Sequence, residues 1–315
     1  MRTTMISNTI LVTGAPRSGT TPMGDALRHL PGAVSLYEPL GLSGDGRVTV
    51  RFPIPGEPAF TEETFGEVLE DMRRFRLRFH KQRRPVERVG WMRAAAVRVV
   101  GTRALMSQRI ARLTPRKDTL IWKDPMAVFC VRHEASHGFR SVITVRPPLA
   151  QAASYKRLAW RPRTREIYDR YAARFGPVPE VADRLDELEY EDVGSSALLW
   201  HLIHRHLLRV TPQEAGHVHF FAPQVRGQDD QAAFDAVFDW LGRTMPAAVR
   251  HNLVRRAAAS GSGSPKERRV HDWNRTSAQA NTYWKEVLTE DEVALVEDIN
   301  GGLWDEVRAH IIAHC

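Results

Sequence analysis

Short apolar runs alternate along this chain with longer stretches of helical spacing. Ile10 to Thr13 is one such run and leads straight into a turn of small residues. Ala33 to Tyr37, Thr119 to Trp122, Ser141 to Val145 and His217 to Ala222 are four more, each too short for a helix. Apolar runs of this length, bounded by Gly, Pro or charged residues, predict strands buried on both faces. After the first strand, Pro22 suits the first position of a helix that turns Met23, Ala26, Leu27 and Leu30 inward before Pro31 and Gly32 stop it. Residues 41–60 are rich in Gly and Pro and read as a loop. Further on, Met72, Phe75 and Phe79 keep helical spacing, which predicts an amphipathic helix through the run from Arg73 to Arg84. The alternation of strands and helices predicts an α/β fold with a doubly wound, mainly parallel sheet flanked by helices.

Composition narrows the class. The chain has 315 residues, 43% hydrophobic and 26% charged, which fits one soluble domain over residues 1–315 with a helical insertion at about 61–116. Only Arg2 and a polar run precede the first strand, and no stretch approaches the roughly 18 apolar residues of a membrane span, so a cytoplasmic protein is expected. Cys130 and Cys315 lack neighbours at disulfide-framework or zinc spacing and read as free thiols. The net charge is +8, and it is concentrated: Asp71 to Arg116 holds fourteen Lys or Arg against two acids. This basic segment is either a solvated face or a surface for an acidic acceptor or a membrane, and it is the candidate for peripheral membrane contact. It carries no nucleic-acid motif, so nucleic acid is not an expected partner.

The turn after the first strand holds the chemistry. Gly14, Ala15, Pro16, Arg17, Ser18, Gly19, Thr20 and Thr21 have the G-x-x-x-x-G spacing of a P-loop, in which backbone N–H groups and a helix N-terminus converge on an anion. Thr20 stands where a Walker loop needs lysine, and the cation is instead Arg17, inside the loop. A γ-phosphate is therefore not the expected ligand. Three other strands end in charged groups: Glu38 before Pro39, Lys123 before Asp124, and Arg146 before two prolines. A parallel sheet binds ligands at the carboxyl ends of its strands, so a P-loop-type fold would gather these groups along one edge.

The segment from Thr13 to Thr21 resembles the phosphosulfate loop of sulfotransferases that use 3′-phosphoadenosine 5′-phosphosulfate (PAPS). The segment from Val145 to Tyr155 is similar to their 3′-phosphate motif, with Arg146 and Ser154 in the places of its arginine and serine. The Arg-Ser-Gly-Thr-Thr loop, the Glu after the second strand and the Lys-Asp-Pro turn are similar to the tyrosylprotein and bacterial branches. The stretch from Arg275 to Thr289 is similar to the closing segment of bacterial members. The resemblance implies a PAPS-dependent sulfotransferase with adenosine 3′,5′-bisphosphate (PAP) as product and no metal. It also implies a segment at about 260–315 that closes over the cofactor, with Lys266, Arg268, Arg269 and Arg275 as phosphate contacts. Pro223 and Gln224 depart from the pattern, standing where many relatives carry a Glu-Asp pair.

Sulfuryl transfer builds charge on the bridging oxygen while the acceptor hydroxyl or amine loses a proton. Arg17 and Lys123 would stabilise the leaving group, and Glu38 would be the general base, with Asp124 as the rival carboxylate. The acceptor, whether small molecule, glycan, lipid or peptide, is left open, as is the oligomeric state. A kinase with a degenerate P-loop and a non-catalytic nucleotide-binding module stay as alternatives, the first opposed by the missing lysine and the second by Glu38 and Lys123. His201, His204 and His206 lack a completing carboxylate or thiol and read as satisfied or solvated histidines, and Trp200, Trp240 and Trp304 as core.

Overall fold

The computed structural model describes residues 6–79, 102–259 and 276–313. Lys266, Arg268, Arg269, Arg275, Cys315 and the middle of the basic segment lie outside the described residues. Five strands, β1 (Asn8–Thr13), β2 (Ala33–Tyr37), β3 (Thr119–Lys123), β4 (Arg140–Thr144) and β5 (Val218–Phe221), form one sheet in the order β2-β3-β1-β4-β5. Every pairing is parallel. β1 is central, so the turn that follows it opens where the chain departs to opposite sides, the usual place for a ligand on such a sheet.

Alternation along the strands explains the two-sided burial. Ile10, Val12, Ile121, Val142 and Phe221 face one side, where they meet α1 (Thr20–Leu27) and residues of the later helices α7 (Asp230–Trp240) and α8 (Ala247–Ala259). Leu11, Leu120 and Trp122 face the other side and pack with α2 (Glu62–Arg73) and with Ala111 of α3 (Arg103–Leu113). Ile143 and Phe220 on that second face join a larger core shared by α4 (Pro148–Leu158), α5 (Thr164–Phe175), α6 (Asp192–Val210) and α10 (Glu290–Ala313). A sheet covered on both faces needs near-continuous apolar strands, which is the pattern the sequence carries. A shorter helix, α9 (Ser277–Thr282), holds its first turn with a capping box between Thr276 and Gln279.

Two expected helices differ. α1 begins at Thr20 rather than Pro22, because Gly19 takes a φ of 109° at the N-cap; Pro22 then sits third, where its missing N–H has no helical partner to lose. Of the helix expected through Arg73 to Arg84, the described part does not continue beyond Arg73: α2 ends there and Phe75 has a φ of 56°, while residues 80–84 lie outside the described residues. Backbone bonds to the last turn of α2 run as far as Arg76, and tertiary hydrogen bonds take over at the Phe75 carbonyl and Leu77. Gln108 of α3 bonds both backbone groups of Leu77, and Arg112 Nε donates to the Phe75 carbonyl. Met72 and Phe75 are buried and Phe79 is partly buried, so the apolar spacing is largely accurate about burial and, from Phe75 to Phe79, wrong about conformation. Phe79 ends in a bridge with Asp45.

Candidate functional site

The turn after β1 is folded tightly against β4. Gly14 has a φ of 138°, and a Cβ there would lie 2.2 Å from the Thr144 carbonyl oxygen, so only glycine fits. Ser18 Oγ and Thr144 Oγ1 are 2.6 Å apart, which ties the turn to the adjacent strand. Arg17 itself has a left-handed φ of 76°, an uncommon state for a side-chain-bearing residue, and its guanidinium is turned toward α4. There Arg17 Nε donates to Ser154 Oγ at 3.0 Å.

Arg146 completes this side of the site. Its Nη1 donates to the Arg17 carbonyl at 3.0 Å and its Nη2 to the Ala280 carbonyl of α9, while Tyr283 lies against it. Trp200, fully buried on α6, donates its indole N–H to the Arg146 carbonyl at 3.0 Å. Arg17, Ser18, Gly19, Thr20, Thr21, Arg146 and Ser154 all line one cavity of about 190 Å³. Gly14, Ala15 and Pro16 precede it as the buried base of the turn.

Burial lowers the Arg17 pKa, with nearby Arg157 adding to the fall, and burial lowers that of Arg146 to about 10. Both stay charged at neutral pH, so two desolvated cations face one cavity. Among the described residues, Arg146 Nε meets no acceptor. This arrangement fits an anionic group, which would relieve the repulsion and supply the missing acceptor.

Glu38 and Lys123 form the second part of the site. Tyr37 and Lys123 are register partners at the ends of β2 and β3. Just past them Lys123 Nζ lies 2.6 Å from Glu38 Oε1, and Glu38 N donates to the Lys123 carbonyl at 2.7 Å. Lys123 is buried, and its stem crosses α1 at Gly24, where a Cβ would come within 2.8 Å of Lys123 Cγ. Glu38 has a φ of 48°, a second left-handed residue at the same sheet edge.

Asp124 is fully buried and accepts from Leu40 N at 2.6 Å and Met126 N at 2.9 Å. It therefore clamps the Glu38 turn onto the end of β3. Burial, then the charge of Glu38, push its pKa up to about 7. Its two oxygens accept from backbone N–H groups on either side of the strand end, which holds the turn.

The structure thus brings the expected residues together as two neighbouring groups on one sheet edge. Arg17, Arg146 and Ser154 share the cavity over β1 and β4, while the Lys123 and Glu38 pair stands over β3 and β2, outside that cavity lining. Arg157, Arg256, Asn281 and Tyr283 also line the cavity. Arg157 was legible as a position three residues beyond Ser154 on one helical face, whereas Arg256 carried no local signal. Gln224, at the end of β5, also lines it and is spent on structure, donating to the Val145 carbonyl and accepting from Asn281. No group of three or more His, Cys, Asp or Glu that could hold a metal occurs among the described residues. His201 and His204 each bond a backbone carbonyl through Nδ1. No helix among the described residues is long and apolar enough to cross a membrane.

No protein-family model matches the chain, and no curated protein matches it in sequence. Among solved structures, the sulfotransferase domain of the Synechococcus PCC 7002 olefin synthase is similar over 93% of this chain and 95% of that one, with 15% identity and a TM-score of 0.41. A sulfotransferase domain from the curacin biosynthetic pathway is similar over 95% and 98%, with 12% identity and a TM-score of 0.43. Mouse sulfotransferase SULT7A1, solved with PAP, is similar over 98% and 89%, with 11% identity and a TM-score of 0.43.

Proposed function

We propose that the protein transfers a sulfuryl group from PAPS to a hydroxyl or amine of an acceptor. The observation that carries this reading is the division of charge along the sheet edge. Two desolvated arginines and a backbone turn face one cavity, and a lysine paired with a carboxylate stands one strand beyond. A doubly phosphorylated nucleotide suits the first group, with Arg146 and Ser154 at its 3′-phosphate and the turn from Gly14 to Thr21 at its 5′ end. The second group suits the transfer itself. Lys123 would stabilise charge on the bridging oxygen together with Arg17, and Glu38 would take the acceptor proton.

The 2.6 Å contact between Lys123 and Glu38 has a consequence for the order of events. Each group occupies the other until donor oxygen and acceptor hydroxyl replace them. Bond formation from the acceptor oxygen to sulfur, bond breaking to the phosphate oxygen and proton transfer to Glu38 then balance without a further reactant.

Nucleotide preference tests the reading. PAP should raise the melting temperature well above the shift given by AMP, and Arg146→Ala should abolish most of the difference. Equal stabilisation by PAP and AMP removes the basis for the assignment.

A further inference from the structure

A cation that the donor does not need stands beside the edge strand β2. Arg103, the first residue of α3, lies with its guanidinium carbon 3.9 Å from the centre of the Tyr37 ring. Lys123 Nζ is 4.1 Å from the same ring centre. Tyr37 is the residue before Glu38, so Arg103 stands beside the proposed base. Its place is fixed: Ser107 of α3 accepts the Tyr37 N–H at 3.0 Å, and Thr102 caps the helix through Leu105 N. The edge strand is thereby covered, and Arg103 is held at its end.

Arg103 is not among the residues that line the nucleotide cavity. At about 4.8 Å between strands, β2 is roughly 10 Å from β1 and roughly 14 Å from β4, and Arg103 lies on the outer side of β2. For in-line transfer the acceptor enters opposite the leaving nucleotide, which is this outer side. The first turn of α3 contains no acid, and among the described residues no carboxylate pairs with Arg103. Glu38 is already matched by Lys123. One exposed, positioned cation is therefore in excess where the acceptor must sit.

We infer that the acceptor carries an anionic group, a carboxylate, sulfate or phosphate, that Arg103 receives against the Tyr37 ring. This rests on the proposed sulfuryl transfer and names its substrate class. Arg103 acts as a specificity residue for the acceptor and has no part in nucleotide binding.

The test uses the full chain saturated with PAP and ligand-observed NMR titration of two matched pairs. These are para-hydroxyphenylacetate with para-ethylphenol, and glucuronate with glucose. In at least one pair the anion should bind about tenfold tighter than its neutral partner, as a charge-assisted contact warrants. Arg103→Gln should erase that preference while PAP affinity stays at the wild-type value, and Arg103→Lys should keep most of it. Equal binding within both pairs, no binding by any of the four, or a preference that survives in Arg103→Gln overturns the inference. Failure of the wild type to bind PAP strikes instead at sulfuryl transfer, so the two outcomes are distinct.

Discussion

At the scale of single residues, the question is which carboxylate takes the proton. Glu38 reaches Lys123 with one oxygen and is part-exposed, whereas both oxygens of Asp124 are spent on the N–H groups of Leu40 and Met126. Glu38→Gln keeps shape and removes basicity, so transfer to an acceptor should fall by roughly two to four orders of magnitude with PAP binding near wild type. Asp124→Asn should act differently. It places an N–H₂ group against a backbone donor, so it should lower stability and disturb the Glu38 turn. Near-normal transfer by Glu38→Gln, measured with labelled PAPS, would show that another group is the base. These residues were legible because each ends an apolar run, and a parallel sheet gathers its strand ends without reference to sequence distance. Tyr283 and Arg256 were not legible in these roles, since their approach depends on how α8 and the segment after α9 fold back across the sheet.

At the scale of elements, α6 reaches the site from below through one indole. Trp200 packs against His204 with ring centres 3.8 Å apart, and it donates to the carbonyl of Arg146. It thereby fixes the start of the turn from which the Arg146 guanidinium projects. Trp200→Phe retains a ring and deletes the donor, which should cost about 1–2 kcal/mol because a buried carbonyl is left unpaired. If α6 positions Arg146, PAP affinity should fall several-fold by calorimetry while AMP affinity is unchanged. Equal loss for both nucleotides would reduce Trp200 to a packing residue. The sequence placed this tryptophan in the core by its helical neighbours, and it is there. The hydrogen bond could not be read, since it joins residues 54 positions apart. The basic stretch failed in the opposite way: its apolar spacing sets Met72, Phe75 and Phe79 on one helical face, but Gln108 and Arg112 take backbone groups of Leu77 and Phe75.

At the scale of the whole molecule, buried histidines set how stability responds to acid. His206 is fully buried on α6 among Phe129, Tyr171 and Phe175, and among the described residues neither ring nitrogen meets a partner. Burial first, then the charges of Arg132, Arg209 and His133, lower its pKa from 6.5 to about 3. The sign follows from linkage. Between those two values the unfolded chain binds a proton at His206 and the native chain does not, so stability is full above pH 6.5 and falls as the pH drops. The largest slope from one such group is about 1.4 kcal/mol per pH unit. His204, lowered to about 3 by its own burial, adds in the same direction, while Asp124, raised to about 7, opposes it. The net curve therefore mixes several groups, and a variant isolates one. His206→Phe preserves an aromatic ring in an aromatic surround and removes the titrating group. Urea unfolding between pH 6.5 and pH 5 should show the variant losing less stability per pH unit than the wild type, by roughly 1 kcal/mol. Parallel curves for the two proteins would mean that His206 takes up a proton in the native state, through an opening of the core that α5 and α6 enclose.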